Sequence, residues 1–86
     1  MVITDKTVAD KLSAYLHHRI TLEKLVDWAE DAMMDGIFDP KRARKIRPVV
    51  ARLGLADVKA FGLAWDDCKR LLKKLGYAAH VDVVRV

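Results

Sequence analysis

The chain has little cysteine, proline or glycine, with one, two and four residues of each among 86. A single cysteine, Cys68, cannot form a disulfide within the chain, which excludes the disulfide framework of small secreted domains. A reducing cytoplasm is therefore the expected location. The glycines are scattered and form no glycine-rich phosphate loop.

Long apolar runs are also lacking. No stretch approaches the ~20 apolar residues that a membrane-spanning helix requires. Residues 1–6 do not show the basic and then apolar pattern of a signal peptide. We expect a protein that is neither exported by that route nor inserted in a membrane.

Residue types that carry catalysis or bind metals are few. Ser13 is the only serine, Cys68 is expected to be buried, and the histidines have no neighbouring sequence signature of a catalytic site. His17 and His18 are adjacent, so on a helix they point about 100° apart and do not readily share one ion. Asp66 and Asp67 are adjacent carboxylates that could in principle act in acid/base catalysis. Their simpler role is to stabilise the last helix by interacting with the positive end of its dipole. We therefore expect no enzyme activity, metal, cofactor or small-molecule substrate.

The composition is that of one folded domain, residues 1–86, because 52% of the residues are hydrophobic and 33% are charged. The charge is unevenly distributed. Residues 1–39 carry four Lys or Arg against eight Asp or Glu, whereas residues 40–86 carry twelve against four. The net charge of +4 thus combines an acidic half with a strongly basic half. The basic half indicates nucleic acid, and the acidic half weakens that inference.

Apolar spacing and capping residues predict four to five helices. Thr4 or Asp5 caps the first helix, and Thr21 caps the second. Asp39 with Pro40 begins the third helix, in which we expect a kink or a split at Pro48. The predicted helices cover residues 5–18, 22–34, 40–53, 55–61 and 65–75.

The C-terminal segment alternates in polarity and predicts a short strand over residues 78–86. A lone strand is unstable in water because its backbone groups need a neighbour. Two arrangements stay open: pairing with residues 1–4 of the same chain, or pairing with another protein or a dimer mate. The expected fold class is mainly α, a small helical bundle with this strand.

The second predicted helix has one apolar face and one acidic face. Leu22, Leu25, Val26, Ala29 and Met33 are expected to be buried. Like charges at spacings of three and four cost a few tenths of a kcal/mol per pair in an isolated helix, so their retention indicates a partner. We call the acidic face the acidic ridge, and it comprises Glu23, Asp27, Glu30 and Asp31.

Residues 41–52 contain six positive side chains and no acid, which suits phosphate contacts. A solvated face, or a face turned towards the acidic ridge, explains the same residues.

Residues 55–77 combine a short helix, a glycine turn, a second helix and Leu-Gly-Tyr, and resemble the helix-turn-helix and first wing segment of winged-helix transcription regulators. That resemblance implies a DNA-binding regulator whose 65–74 helix enters the major groove, although Asp66 and Asp67 depart from the expected first turn. The candidate nucleic-acid-binding residues are Lys41, Arg44, Lys45, Arg52, Lys69, Arg70 and Lys73.

A small helical body with an acidic helix and an extendable terminal strand resembles, in layout, small bacterial antitoxin and immunity proteins. That resemblance implies a non-enzymatic module that neutralises a basic partner protein. Protein binding is the leading prediction and DNA binding the second. The predicted partner-binding residues are the acidic ridge together with Val81 and Val83.

Overall fold

The computed structural model describes residues 1–80, Val83 and Arg85. Within them the chain is mainly helical, with two very short strands. The elements in order are β1 (Val2–Ile3), α1 (Asp5–Leu16), α2 (Leu22–Asp35), β2 (Ile37–Phe38), α3 (Ala43–Leu53) and α4 (Trp65–Lys74).

Side-chain caps determine where three of the helices begin. Thr4 accepts a hydrogen bond from the Thr7 amide, and Thr21 accepts one from the Lys24 amide, as the sequence predicted. At α4 the Asp67 carboxylate accepts a hydrogen bond from the Ala64 amide at 2.9 Å. These bonds satisfy amides that have no partner inside the helix.

The third helix begins later than predicted. The Asp39 carboxylate accepts a hydrogen bond from the Lys41 amide at 3.1 Å, and this turn precedes α3. Pro48 lies inside α3 without splitting it, so of the two predicted alternatives the split is wrong and the kink stays a prediction. Pro48 lies on the exposed side of α3, whereas Ile46, Val49, Val50 and Leu53 form a continuous buried apolar face. Packing of that face stabilises the helix on both sides of the proline.

The two strands form a parallel pair in which Val2 lies opposite Ile37 and Ile3 opposite Phe38. The Ile37 amide donates to the Met1 carbonyl at 2.8 Å, and the Asp39 amide donates to the Ile3 carbonyl at 2.9 Å. The N-terminus therefore pairs with the segment after α2, a pairing that the sequence analysis did not predict. Ile3 and Phe38 are buried, so this pairing is also part of the core.

One core joins all four helices and the strand pair. α2 and α3 form the most extensive helix contact, and α1 and α4 pack against the same centre. The fully buried large side chains are Ile3, Val8, Leu12, Leu25, Val26, Ile46, Val49, Val50, Leu53, Cys68 and Leu75. None of the described residues that are buried is polar or charged, cysteine aside.

Two predicted elements are not found among the described residues. Residues 55–61 form successive turns, with the Val58 amide bonded to the Leu55 carbonyl and the Phe61 amide to the Val58 carbonyl. Leu55, Val58 and Phe61 stay exposed, so this segment lacks the buried face that stabilises a short helix.

The predicted C-terminal strand is the second such element. Residues 78–80, Val83 and Arg85 are not in a strand. Val81 and the remaining positions of that prediction lie outside the described residues. In the part of the chain that is described, no helix combines the length and apolar character needed to cross a membrane.

Gly36 allows the end of α2 to approach β1 closely. A Cβ atom added at Gly36 would lie 2.9 Å from the Ile3 Cγ1 atom and overlap the Ala32 carbonyl. We expect Gly36→Ala to lower the free energy of unfolding by about 1–3 kcal/mol, the usual cost of overpacking.

Gly54→Ala is the matched control, because its φ of −64° suits alanine and the nearest atom would lie 3.4 Å away. Its stability should be unchanged or raised by up to about 1 kcal/mol. Urea unfolding followed by circular dichroism measures both variants, and equal stabilities would contradict the proposed close approach.

Candidate functional site

The acidic ridge is a continuous exposed face of α2. Leu25, Val26, Ala29 and Ala32 occupy the opposite face and are buried, which turns the ridge towards solvent. All four ridge residues are exposed. Among the described residues, none of them takes part in an ion pair. The basic segment 41–52 therefore does not neutralise the ridge by direct pairing.

Exposed apolar side chains lie beyond the C-terminal end of the ridge. Met34 is 80% exposed, and Ile37 and Val2 are 65% and 64% exposed. We call this group the apolar patch, and it comprises Met1, Val2, Met33, Met34 and Ile37. Sequence reasoning missed it and placed Met33 in the core, whereas Ala32 occupies that buried position.

Of the two predicted valines of the C-terminal segment, only Val83 can be described. Val83 is almost fully exposed and lies outside regular structure. Val81 lies outside the described residues. The ridge and the apolar patch are therefore the part of the predicted protein-binding site that can be described.

A second charged surface surrounds the start of α3. Lys41, Arg44 and Lys45 are exposed and, within the described residues, make no ion pair. A shallow cavity of about 610 Å³ lies among residues 40–42, 44 and 45. The first turn of α3 contains no acid, so positive side chains surround the positive end of the helix dipole. This arrangement favours binding of an anion.

Arg52 and Arg70 belong to a different cluster, which ties α3 to α4. Arg52 lies 3.7 Å from the Asp67 carboxylate and donates to the Phe61 carbonyl at 3.5 Å, with its guanidinium 5.6 Å from the Phe61 ring centroid. Arg70 also pairs with Asp67. Lys69 and Lys73 are exposed on α4. The seven predicted basic residues therefore do not form one set, because Arg52 is engaged inside the protein.

Asp67 stabilises the start of α4 in its ionised form. The hydrogen bond from the Ala64 amide holds the pKa of its carboxyl below the usual range, and Arg70 and Arg52 act in the same direction against partial desolvation. Asp67 is thus a structural cap.

The segment before α4 consists of turns over residues 55–61. The first helix of the predicted helix-turn-helix is therefore absent.

A cavity of about 560 Å³ lies between α1, α4 and residues 77–80. Ser13 and His17 are both at its wall. The His17 Nδ1 atom lies 2.8 Å from the Ser13 carbonyl oxygen, which can only accept, so Nδ1 carries the hydrogen. It is therefore not the base for the Ser13 hydroxyl, which lies 3.3 Å away.

Cys68 is buried in the core, and burial raises the pKa of its thiol to about 11. Such a thiol is almost entirely protonated near neutral pH and is a poor nucleophile or metal ligand. Within residues 1–80, Val83 and Arg85, no three side chains among His, Cys, Asp and Glu gather as metal ligands.

Comparison with known proteins finds no matching family model, and no match among curated proteins or solved structures. The functional assignment therefore rests on the charge, exposure and placement of the chain's own residues.

The pKa of Asp67 predicts a pH-dependent contribution to stability. Asp67→Asn should lower the melting temperature at pH 7, because it removes the charge that caps α4 and pairs with Arg70. Asp66→Asn should change it much less, since Asp66 is exposed and has no ion-pair partner among the described residues.

The folded-state pKa of Asp67 is lower than its ordinary value of 3.8. Its contribution is therefore present above that value and lost as the pH falls through the folded-state pKa. Thermal unfolding between pH 7 and pH 2 should show wild type and Asp67→Asn converging in acid. A constant difference across that range would rule out the ionised cap.

Proposed function

We propose that the protein is a non-enzymatic interaction module that binds a basic partner protein through the acidic ridge. The observation that supports this most is the ridge itself: four exposed carboxylates on one helix face, without ion pairs among the described residues. Neighbouring like charges cost a few tenths of a kcal/mol per pair, and a positively charged partner would reverse that cost.

We further propose a role like that of small bacterial antitoxin and immunity proteins, which are cytoplasmic modules that neutralise a toxin, because a small helical body with an acidic helix resembles them in layout. The partner would then be a basic protein. Under this proposal the segment 78–86 pairs as a strand with the partner's sheet or with a second copy, and either would supply the neighbour that a lone strand needs.

Charge reversal on two faces tests the role of the ridge. Asp27→Lys with Glu30→Lys should lose at least about tenfold in affinity for the partner, because buried or close interfacial charge pairs contribute ~1.5 kcal/mol or more. Asp57→Lys with Asp66→Lys makes the same change in net charge away from the ridge and should retain binding. Both positions are exposed and have no ion pair among the described residues.

The measurement is capture of protein partners by tagged full-length variants from source cells, followed by titration with the recovered partner. Circular dichroism confirms that each variant is folded. Equal loss of binding in both variants would indicate a general charge effect. Unchanged binding after ridge reversal would refute the ridge as the binding face.

DNA binding is the second candidate, and the uncapped basic start of α3 is the observation that favours it. Lys41, Arg44 and Lys45 are free of ion pairs in the described structure and surround the first amides of α3, which could donate hydrogen bonds to an anion. Lys69 and Lys73 extend the basic surface on α4.

This alternative predicts duplex DNA binding that falls steeply with salt, because phosphate contacts release counterions. Replacing Lys41, Arg44 and Lys45 by Gln should weaken binding and reduce the salt dependence. Fluorescence anisotropy with a labelled duplex measures both effects. Absence of binding at low salt would remove this candidate.

A further inference from the structure

The acidic ridge and the apolar patch follow one another along a single line. Glu23, Asp27, Glu30 and Met34 are spaced by four, three and four residues, which places them on the same face of α2. The distance from Glu23 to Met34 along the helix is about 16 Å. Charge therefore occupies most of this face, and an exposed methionine ends it.

The strand pair continues the apolar end of that line. Ile37 follows Met34 by three residues, so their Cα atoms lie within about 11 Å. Val2 is paired with Ile37, and both side chains point away from the core because their neighbours Ile3 and Phe38 are buried. Met34, Ile37 and Val2 are each more than 60% exposed.

Exposed apolar side chains that lie close together differ in meaning from scattered ones. Single exposed apolar residues need no explanation, whereas adjacent ones mark interaction sites. Methionine suits such a surface because its flexible, polarisable side chain adapts to different partners. The adjacent unpaired carboxylates restrict the partner to one with positive charge beside its apolar residues.

Building on the proposed function, we propose that the ridge and the apolar patch form one docking surface for a basic polypeptide segment with apolar anchors at one end. The positive side chains of that segment lie along the ridge. Its apolar side chains cover Met34, Ile37 and Val2. The ridge and the patch occupy successive parts of the surface. The partner segment must therefore carry its charged and its apolar residues in separate blocks, and this order is what the proposal specifies.

Two synthetic peptides of about twelve residues, long enough to cover ~18 Å as a helix, test this arrangement. One peptide has a block of lysines followed by a block of leucines. The second has serines in place of the leucines and keeps the same charge. Fluorescence anisotropy at about 0.15 M salt measures the affinity of each peptide for the full-length protein, and NMR identifies the perturbed residues.

The leucine peptide should bind at least tenfold more tightly than the serine peptide and should perturb Met34 and Ile37. Met34→Ser with Ile37→Ser should remove this difference. Leu55→Ser with Val58→Ser is the matched control, because these residues are 42% and 43% exposed in the turn segment 55–61. That control should retain the difference.

The outcomes separate this inference from the proposed function. If both peptides bind equally and ridge reversal weakens both, the apolar anchor is wrong and the acidic ridge still binds a basic partner. If the leucine peptide binds and ridge reversal has no effect, the ridge is not the binding face, and both proposals fail. Binding of neither peptide contradicts the docking surface proposed here, while ridge reversal measured with the captured partner tests the proposed function separately.

Discussion

The packing of α2 against α3 is the contact on which the rest of the structure depends. It buries Leu25, Ala29 and Ile46 in a centre that α1, α4 and the strand pair also cover. Removal of this apolar surface from water is the main source of stability in so small a domain. Because a helix can bury only one face in this way, the same contact exposes the acidic ridge. The surface proposed for binding is thus a direct consequence of the core.

The two oppositely charged halves of the chain meet without cancelling each other. Arg42 pairs with Asp5 at 3.4 Å, and Arg52 lies 3.7 Å from Asp67. The basic segment therefore forms these ion pairs with acids outside the ridge. These pairs are wholly or partly exposed and contribute little stability individually. They link the basic segment to α1 and α4, while among the described residues the ridge and Lys41, Arg44 and Lys45 make no ion pair. The molecule therefore presents two surfaces of opposite sign, and the apolar patch adjoins the acidic one.

Local signals predicted much of the helical fold. Thr21 is followed by a strongly amphipathic segment, so both cap and periodicity indicated α2. The strand pair had no such signal, because a two-residue strand shows no period and its partner lies more than thirty residues away. Leu55, Val58 and Phe61 have helical spacing, yet each side chain is at least 42% exposed. The acidic ridge could be read from periodicity, whereas the exposure of Met34 and Ile37 depends on how the end of α2 meets β1.

Hydrogen–deuterium exchange of the full-length protein, alone and with its captured partner, tests the central claim most directly. Amides buried in an interface exchange more slowly, so the proposed binding face predicts added protection within α2 and β2. Residues 41–47 should exchange as in the free protein. Protection confined to α3 and α4, with α2 unchanged, would contradict the account and assign binding to the basic surface.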